Sequence, residues 1–219
     1  MNLRLGIYEV FSRIVPGGLY IVAVAQFLFI LGIVDLDPEI INNLSLAASI
    51  GLVVVAYILG GAFDIFSLAF FRLFKKRGFS NRILAEFKTD HADRWRIDFS
   101  DGDLPILFAY IRTKNLELAG ELDRHNAVSI MLRNVSLGLL LMAVNSLIRF
   151  LMYRDPVSVF ISGSMLVLSL LMIRESIKFR GFFYKGVYET ILAYRVDLET
   201  AIRPVRHAMR RSKTEKINE

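Results

Sequence analysis

The sequence predicts an all-α polytopic membrane protein with four transmembrane helices and a cytoplasmic helical region. Of the 219 residues, 54% are hydrophobic and only 22% are charged, whereas soluble domains have about 45–50% and about 25%. The apolar residues are also concentrated, because they lie in four blocks with most of the charge between and after them. This pattern argues against a soluble enzyme, a disordered chain or a disulfide-linked secreted domain.

Each apolar block is assigned to one transmembrane helix, because about 20 mostly apolar residues cross the ~30 Å hydrocarbon core. The residues before the first block do not resemble a cleavable signal peptide. Their apolar positions have helical spacing, so we expect 2–14 to form an interfacial helix on the membrane, or else an ordinary amphipathic packing helix. The four blocks are 18–34, 44–71, 127–153 and 157–173.

Basic residues in the connecting segments predict how the spans are oriented in the inner (plasma) membrane. The first connection has three acidic residues and no basic one, whereas 72–126 and 174–219 contain 11 basic residues each. Both termini and the long connection are therefore expected in the cytoplasm, and 153–156 is expected to form a tight turn. The predicted parts are 1–71 with the interfacial helix and two spans, 72–126 as a cytoplasmic helical loop, 127–173 with two spans, and 174–219 as a basic helical tail.

No pattern in the sequence predicts an enzyme, a cofactor or a metal site. The chain has no cysteine, which excludes thiol catalysis, cysteine-based zinc sites and disulfides. Its three histidines lack ligand spacing, and the aspartate-rich stretch 98–103 lacks the closing glutamate of a calcium loop. We also expect no repeat and no helix broken at mid-membrane, which disfavours a transporter.

A single carboxylate interrupts the second span. Asp64 lies about seven residues before the basic end of that span, and Arg133 lies about seven residues inside the cytoplasmic end of the third. Equal insertion from the same side places the two side chains at similar depth, and an ionisable group within a membrane is costly unless it is paired. We therefore expect a buried Asp64–Arg133 ion pair that fixes helix register, or alternatively a gate, a proton site or an ion-attracting ring.

The third span carries a stripe of small and polar residues. They recur at spacings of three and four, so they share one helix face, where they either pack helices or line water. In the second case several copies of the span would surround an axis, with Leu141 or Met142 as an apolar constriction that gates by dewetting. The pore-lining candidates are Asn134, Gly138, Leu141, Met142, Asn145 and Arg149.

The basic tail predicts an anion site on the cytoplasmic face. Some of its charges lie farther from the last span than a topology signal requires, and guanidinium groups favour phosphate. An anionic nucleotide, a cytoplasmic protein partner and the headgroups of the lipid bilayer are the candidate ligands. The anion-binding candidates are Arg203, Arg206, Arg210 and Arg211.

Three short motifs lie at or in the first three spans: Ile14–Gly17 opens the first, Ala56–Gly60 with Asp64 lies in the second, and Leu132–Asn134 lies in the third. In these motifs the chain resembles small four-span prokaryotic membrane proteins that accompany antiviral defence genes and permeabilise membranes. The resemblance implies a homo-oligomeric channel or effector gated by a cytoplasmic signal, often an anionic nucleotide. The alternative is a membrane scaffold or regulatory subunit that docks a cytoplasmic partner.

Overall fold

The computed structural model describes residues 3–35, 45–75, 78–91 and 100–193. Within these ranges the chain forms helices and no strand, so the all-α prediction is confirmed for the described residues. A short 3-10 turn at Asp101–Asp103 precedes the fifth helix. The seven α-helices of the described residues are α1 (Leu3–Ile30), α2 (Leu46–Ala62), α3 (Asp64–Phe74), α4 (Phe79–Asp90), α5 (Leu104–Lys114), α6 (Leu116–Tyr153) and α7 (Pro156–Ala193).

Three to four helical segments of the described residues could cross a membrane by length and composition. The segment Val10–Ile30 of α1 qualifies, as do α6 and α7. Helices α2 and α3 qualify only as a pair, which is bent by 45°. The described residues therefore provide three helices that could cross a membrane, or four if the bent pair is one span, and the predicted count of exactly four stays a prediction.

Helix α1 is continuous where two elements were expected. The sequence analysis separated an interfacial helix at 2–14 from a first span at 18–34, but one helix runs through Pro16, which is buried. A proline within a helix removes one backbone hydrogen bond, and spans tolerate it where neighbouring groups take up the freed carbonyl. The expected boundary before Gly18 is therefore wrong.

The second span is broken at Phe63, between α2 and α3. Backbone bonding continues across the break, since the amide of Phe63 donates to Leu59 O at 2.9 Å and the amide of Ser67 donates to Phe63 O at 3.0 Å. The axis nevertheless bends by 45°. The break lies about eight residues before the basic end of the predicted span, so the expectation that no helix is broken at mid-membrane stays a prediction.

The connection between α6 and α7 is the tight turn that the sequence predicts. Arg154 adopts a left-handed conformation with φ 56°. Asp155 then caps α7, because its carboxylate accepts from the Val157 amide at 3.1 Å and from the Ser158 hydroxyl at 2.9 Å. Helix α7 continues from the predicted fourth span into the basic segment as far as Ala193, and the predicted helix beyond that residue lies outside the described residues.

The helical loop predicted at 72–126 is interrupted before it reaches the third predicted span. Helix α5 ends at Lys114, and Asn115 adopts an extended conformation before α6 begins. The side chain of Asn115 then accepts a hydrogen bond from the Leu118 amide at 3.0 Å, which is the geometry of a helix N-cap. Asparagine favours caps over helix interiors, so the residue itself accounts for the interruption.

The chain divides into two compact units. The first unit comprises Met1–Arg77 and Asp123–Arg180, and the second comprises Gly78–Leu122 and Gly181–Glu219. In the first unit α1 and α2 pack through glycine. A Cβ added at Gly17 would lie 1.7 Å from Ala56 O, and one at Gly60 would lie 2.0 Å from Arg13 O. Glycine at both positions therefore allows the two backbones to approach closely.

Helices α6 and α7 pack in the first unit through small residues that we call the serine ladder. At each rung a serine hydroxyl donates to a backbone carbonyl of the facing helix, so the two backbones lie close together. The rungs recur every seven residues on both helices, which is the period of a coiled-coil seam. The rungs are Ser129–Ser176, Ser136–Ser169 and Ala143–Ser162, with Oγ–O distances of 2.7 to 2.9 Å.

The second unit has an apolar core of its own. It combines buried residues of α4 and α5 with the first residues of α6 and the last turns of α7. Leu107, Ile111, Val187 and Tyr188 are fully buried in it. Basic residues predict that these segments lie on the cytoplasmic side. The core residues are Leu84, Phe87, Leu104, Leu107, Ile111, Ala119, Leu122, Phe183, Tyr184, Val187, Tyr188 and Ile191.

Candidate functional site at the α2–α3 break

The break in the second span places a carboxylate at the first residue of α3. Asp64 begins this helix, and Ser67 and Phe71 lie on the same side at spacings of three and four residues. Both are buried, so this side of α3 faces protein. The facing residues on α6 are Arg133 and Asn134, which are also buried. The bend therefore brings a charged group of each helix together.

Asp64 and Arg133 form the ion pair that the sequence predicts. The Arg133 Nη2 lies 2.5 Å from the Asp64 Oδ1. The Nε of the same guanidinium donates to the Ser67 hydroxyl at 3.1 Å, and its Cζ lies 6.0 Å from the centre of the Phe71 ring. Arg133 is thus held by α3 through one charged, one polar and one aromatic contact.

Asn134 joins the ion pair to α1. Its side-chain amide donates to the Asp64 Oδ1 at 3.2 Å, and its side-chain oxygen accepts from the Ser67 hydroxyl. Its backbone carbonyl accepts from the Tyr20 hydroxyl at 2.8 Å. The Tyr20 ring stacks on Phe63 at the bend, with 4.6 Å between ring centroids. Three helices therefore contribute to one polar network, which we call the break network.

The two charges of the break network differ in exposure. The side chain of Arg133 is 10% exposed, whereas that of Asp64 is 44% exposed. Both hydrogen bonds that the Asp64 carboxylate accepts within the described residues end on Oδ1. A carboxylate has two oxygens and about four lone-pair sites. The Oδ2 side of Asp64 is therefore open to water, lipid or another chain.

The polar stripe of α6 packs against α1 within the chain. The Asn145 side chain is buried and donates to Ala23 O at 2.7 Å, and a Cβ at Gly138 would lie 3.0 Å from the Leu19 Cβ. Asn134 is buried in the break network. The prediction that Asn134, Gly138 and Asn145 line a pore is therefore wrong, and the packing alternative accounts for the stripe.

The remaining members of the stripe occupy different surroundings. Leu141 and Met142 are partly buried. Arg149 is exposed near the turn, where its Nε lies 3.7 Å from the Asp155 Oδ2 and its Cζ lies 6.0 Å from the centre of the Phe29 ring. Arg149 therefore belongs to the α6–α7 turn, whereas the apolar constriction at Leu141 or Met142 stays a prediction.

Several contacts of the first unit were missed by the sequence analysis. Ser67 and Tyr20 belong to the break network without any local motif, so no sequence signal identified them. The serine ladder had a signal, because its serines recur at intervals of seven. The Gln26 amide that donates to the Ser146 hydroxyl at 3.1 Å adds one more polar link between α1 and α6.

Two predicted kinds of site are not located by the structure. The anion-binding candidates Arg203, Arg206, Arg210 and Arg211 lie outside the described residues. Within the described ranges, no group of three or more His, Cys, Asp or Glu side chains could hold a metal ion.

The described residues of both units are helical and contain no strand, and three to four of their apolar helices are long enough to span a membrane. Comparison with protein families, curated proteins and solved structures finds no match.

Proposed function

We propose that the protein is an integral membrane protein whose copies assemble into a channel or membrane-permeabilising effector gated from the cytoplasm. The exterior of the first unit supports the membrane placement, because large apolar side chains cover α2 and the first half of α7. Contiguous apolar surface of this kind marks contact with lipid or with other chains. Exposed examples are Leu46, Ile50, Val53, Ile58, Val157, Phe160, Val167 and Leu171.

The half-exposed carboxylate of Asp64 is the observation that carries the proposal. It lies on an otherwise apolar surface, beside the exposed side chains of Ile65 and Phe66. An ionisable group in a span almost always faces a water-filled cavity or a polar partner, and it marks ion or substrate paths. We infer that Asp64 faces a subunit boundary that water and ions reach.

The packing of α6 explains why a path would require several copies. Gly138, which contacts α1, follows Ser136 of the serine ladder by two residues, or about 200° around the helix. Helix α6 therefore lies between α1 and α7, and these three spans do not surround a common path. A path across the membrane would lie between copies.

The second unit is the proposed receiver of the cytoplasmic signal. Its two segments hold 14 of the 27 basic residues, six in Gly78–Leu122 and eight in Gly181–Glu219. Basic residues attract anionic ligands, and an anionic nucleotide is the signal expected from the resemblance to defence-associated effectors. In the same proposal the basic segments face the cytoplasm, as the positive-inside rule predicts.

Single-channel recording in planar bilayers tests this function. Purified protein should give discrete currents, and Asp64→Asn should move the reversal potential in a salt gradient toward anion selectivity, because it removes a negative charge beside the path. Asp155→Asn is the matched control, since it neutralises a carboxylate at the α6–α7 turn. Absence of current, under conditions in which a known channel conducts, would contradict the proposal.

A scaffold or regulatory subunit is the second candidate. The observation that favours it is the use of the polar stripe for packing, since Asn134 and Asn145 are buried within the chain and line no path. A scaffold would dock a cytoplasmic protein through the second unit. It would carry no current, and its Asp64 and Arg133 would affect stability alone.

A further inference from the structure

Besides Asp64, the first unit carries an exposed charge on α7. Arg174 of α7 is exposed, and none of the described residues gives it a hydrogen bond or an ion pair. We propose that copies of this chain assemble head to tail, with Arg174 of one copy bound to the open Oδ2 of Asp64 in the next. The inference rests on the proposed membrane placement and names the partner of the Asp64 site.

The two charges lie at the same depth in the proposed orientation. Asp64 follows Leu46, the first residue of α2, by eighteen residues, and Arg174 follows Pro156, the first residue of α7, by the same number. Both helices begin at the outer side in this orientation. At 1.5 Å per residue, each charge lies about 27 Å further along the chain, near the inner edge of the hydrocarbon core.

The two charges also lie on different surfaces of the unit. Arg174 precedes Ser176 of the serine ladder by two residues, so it points about 200° away from α6. Asp64 belongs to α3, which contacts the other side of α6 through the break network. Two different surfaces that complement each other form a heterologous contact, and such a contact gives a closed ring when the rotation between copies closes.

The chemistry of the pair fits this contact. A guanidinium presents five N–H donors in a plane, and a carboxylate oxygen accepts them with good geometry. Asp64 would then lie between Arg133 of its own chain and Arg174 of the neighbour. Lipid phosphate is the competing partner for Arg174, because basic residues at this depth attract anionic headgroups.

Cysteine cross-linking between differently tagged copies tests the contact. Leu68 and Lys178 lie one turn beyond Asp64 and Arg174 toward the inner side, so Leu68→Cys in one copy should form a disulfide with Lys178→Cys in another. The native chain has no cysteine to interfere. Phe160→Cys is the control partner, because it is exposed on the same helix but lies near the outer end.

Three outcomes of the cross-linking experiment are distinct. Cross-links between the two different variants, with none between copies of the same variant and none to Phe160→Cys, support the head-to-tail contact. Cross-links between copies that all carry Leu68→Cys would show a two-fold contact and overturn it. Absence of any cross-link would also overturn it and would leave lipid as the partner of Arg174.

Self-association in nanodiscs gives a second measurement. Arg174→Gln should weaken assembly about tenfold, because a charged hydrogen bond is lost, and Arg174→Lys should retain part of it. Lys185→Gln is the matched control, since it also removes one exposed positive charge of α7 but lies about three turns from Arg174. Equal assembly of Arg174→Gln and wild type would contradict the contact. Currents without this cross-link would reject the contact alone, and the cross-link without currents would reject the proposed function alone.

Discussion

Ser136 and Ser169 each donate a hydroxyl hydrogen bond to the backbone carbonyl of the other, at 2.8 Å in both directions. Both residues are fully buried. Each buried hydroxyl thus has its hydrogen-bond acceptor on the backbone of the facing helix, so neither side chain needs a water molecule or a third residue as partner. The same reciprocal pairing occurs one heptad away at Ser129 and Ser176. The ladder fixes both the spacing and the register of α6 and α7.

The first prediction concerns this spacing. Ser136→Ala removes the donated bond but keeps the volume small, so it should lower the free energy of unfolding by about 0.6 kcal/mol, the average for such bonds in membranes. Ser136→Leu should cost about 1–3 kcal/mol, because it overpacks the close contact. Unfolding in detergent micelles measures both. Gly163→Leu is the control, since open space surrounds Gly163 on α7. Equal losses for Ser136→Leu and Gly163→Leu would contradict the ladder.

The second prediction concerns the glycine contacts of α1 and α2. Gly17→Ala and Gly60→Ala should each lower the thermal unfolding temperature, because the new Cβ would overlap a backbone carbonyl of the facing helix. Overpacking of this kind costs about 1–3 kcal/mol. Gly18→Ala and Gly51→Ala are matched controls with nothing within 4 Å. These should be neutral or slightly stabilising, since alanine favours helices. If the control variants lowered the unfolding temperature more than Gly17→Ala and Gly60→Ala do, the close contact between α1 and α2 would be refuted.

The third prediction concerns the ion pair of the break network. Asp64→Ala should cost about 3–5 kcal/mol, because it leaves a buried guanidinium without its counter-charge. Arg133→Met should cost less, since the Asp64 carboxylate it leaves behind is 44% exposed. The swap of Asp64→Arg with Arg133→Asp should recover part of the loss. Folded yield and unfolding in micelles measure these effects. If the swap were no better than the single variants, direct pairing would not be the source of stability.

The fourth prediction concerns orientation. Asp35→Cys lies after α1 at the proposed outer side, and Thr89→Cys lies in α4 at the proposed cytoplasmic side; both positions are exposed. An impermeant thiol reagent applied to intact cells should label Asp35→Cys alone. Permeabilised cells should show labelling at both, which controls for reactivity. Labelling of Thr89→Cys in intact cells would reverse the proposed topology.

The Asp64–Arg133 ion pair could be predicted from the sequence because the two residues have similar positions along their predicted spans. Two charges at equal distances from the same ends of two apolar helices have few other partners at that depth. What covers the polar stripe of α6 could not be predicted. The spacing of Asn134, Gly138 and Asn145 shows that they share a face, but periodicity does not identify what covers that face. The structure places α1 there.

The bend at Phe63 could not be predicted from the sequence either, because it results from packing against other helices. Gly60 packs on α1 through Arg13, and four residues after Phe63 the side chain of Ser67 contacts Asn134 of α6. The turn before Phe63 therefore packs on α1 and the turn after it packs on α6, and the helix axis changes direction between these two turns. At Pro16 the sequence misleads in the other direction. Proline is a local signal for a helix boundary, but α1 continues through it.

Electron microscopy of single particles in lipid nanodiscs tests the central claim most directly. The proposed assembly of copies within a membrane, with Asp64 at each subunit boundary, predicts a closed ring with cyclic symmetry, in which α3 of one copy faces α7 of the next. A monomer in the nanodisc, or a two-fold dimer with Asp64 facing lipid, would contradict it.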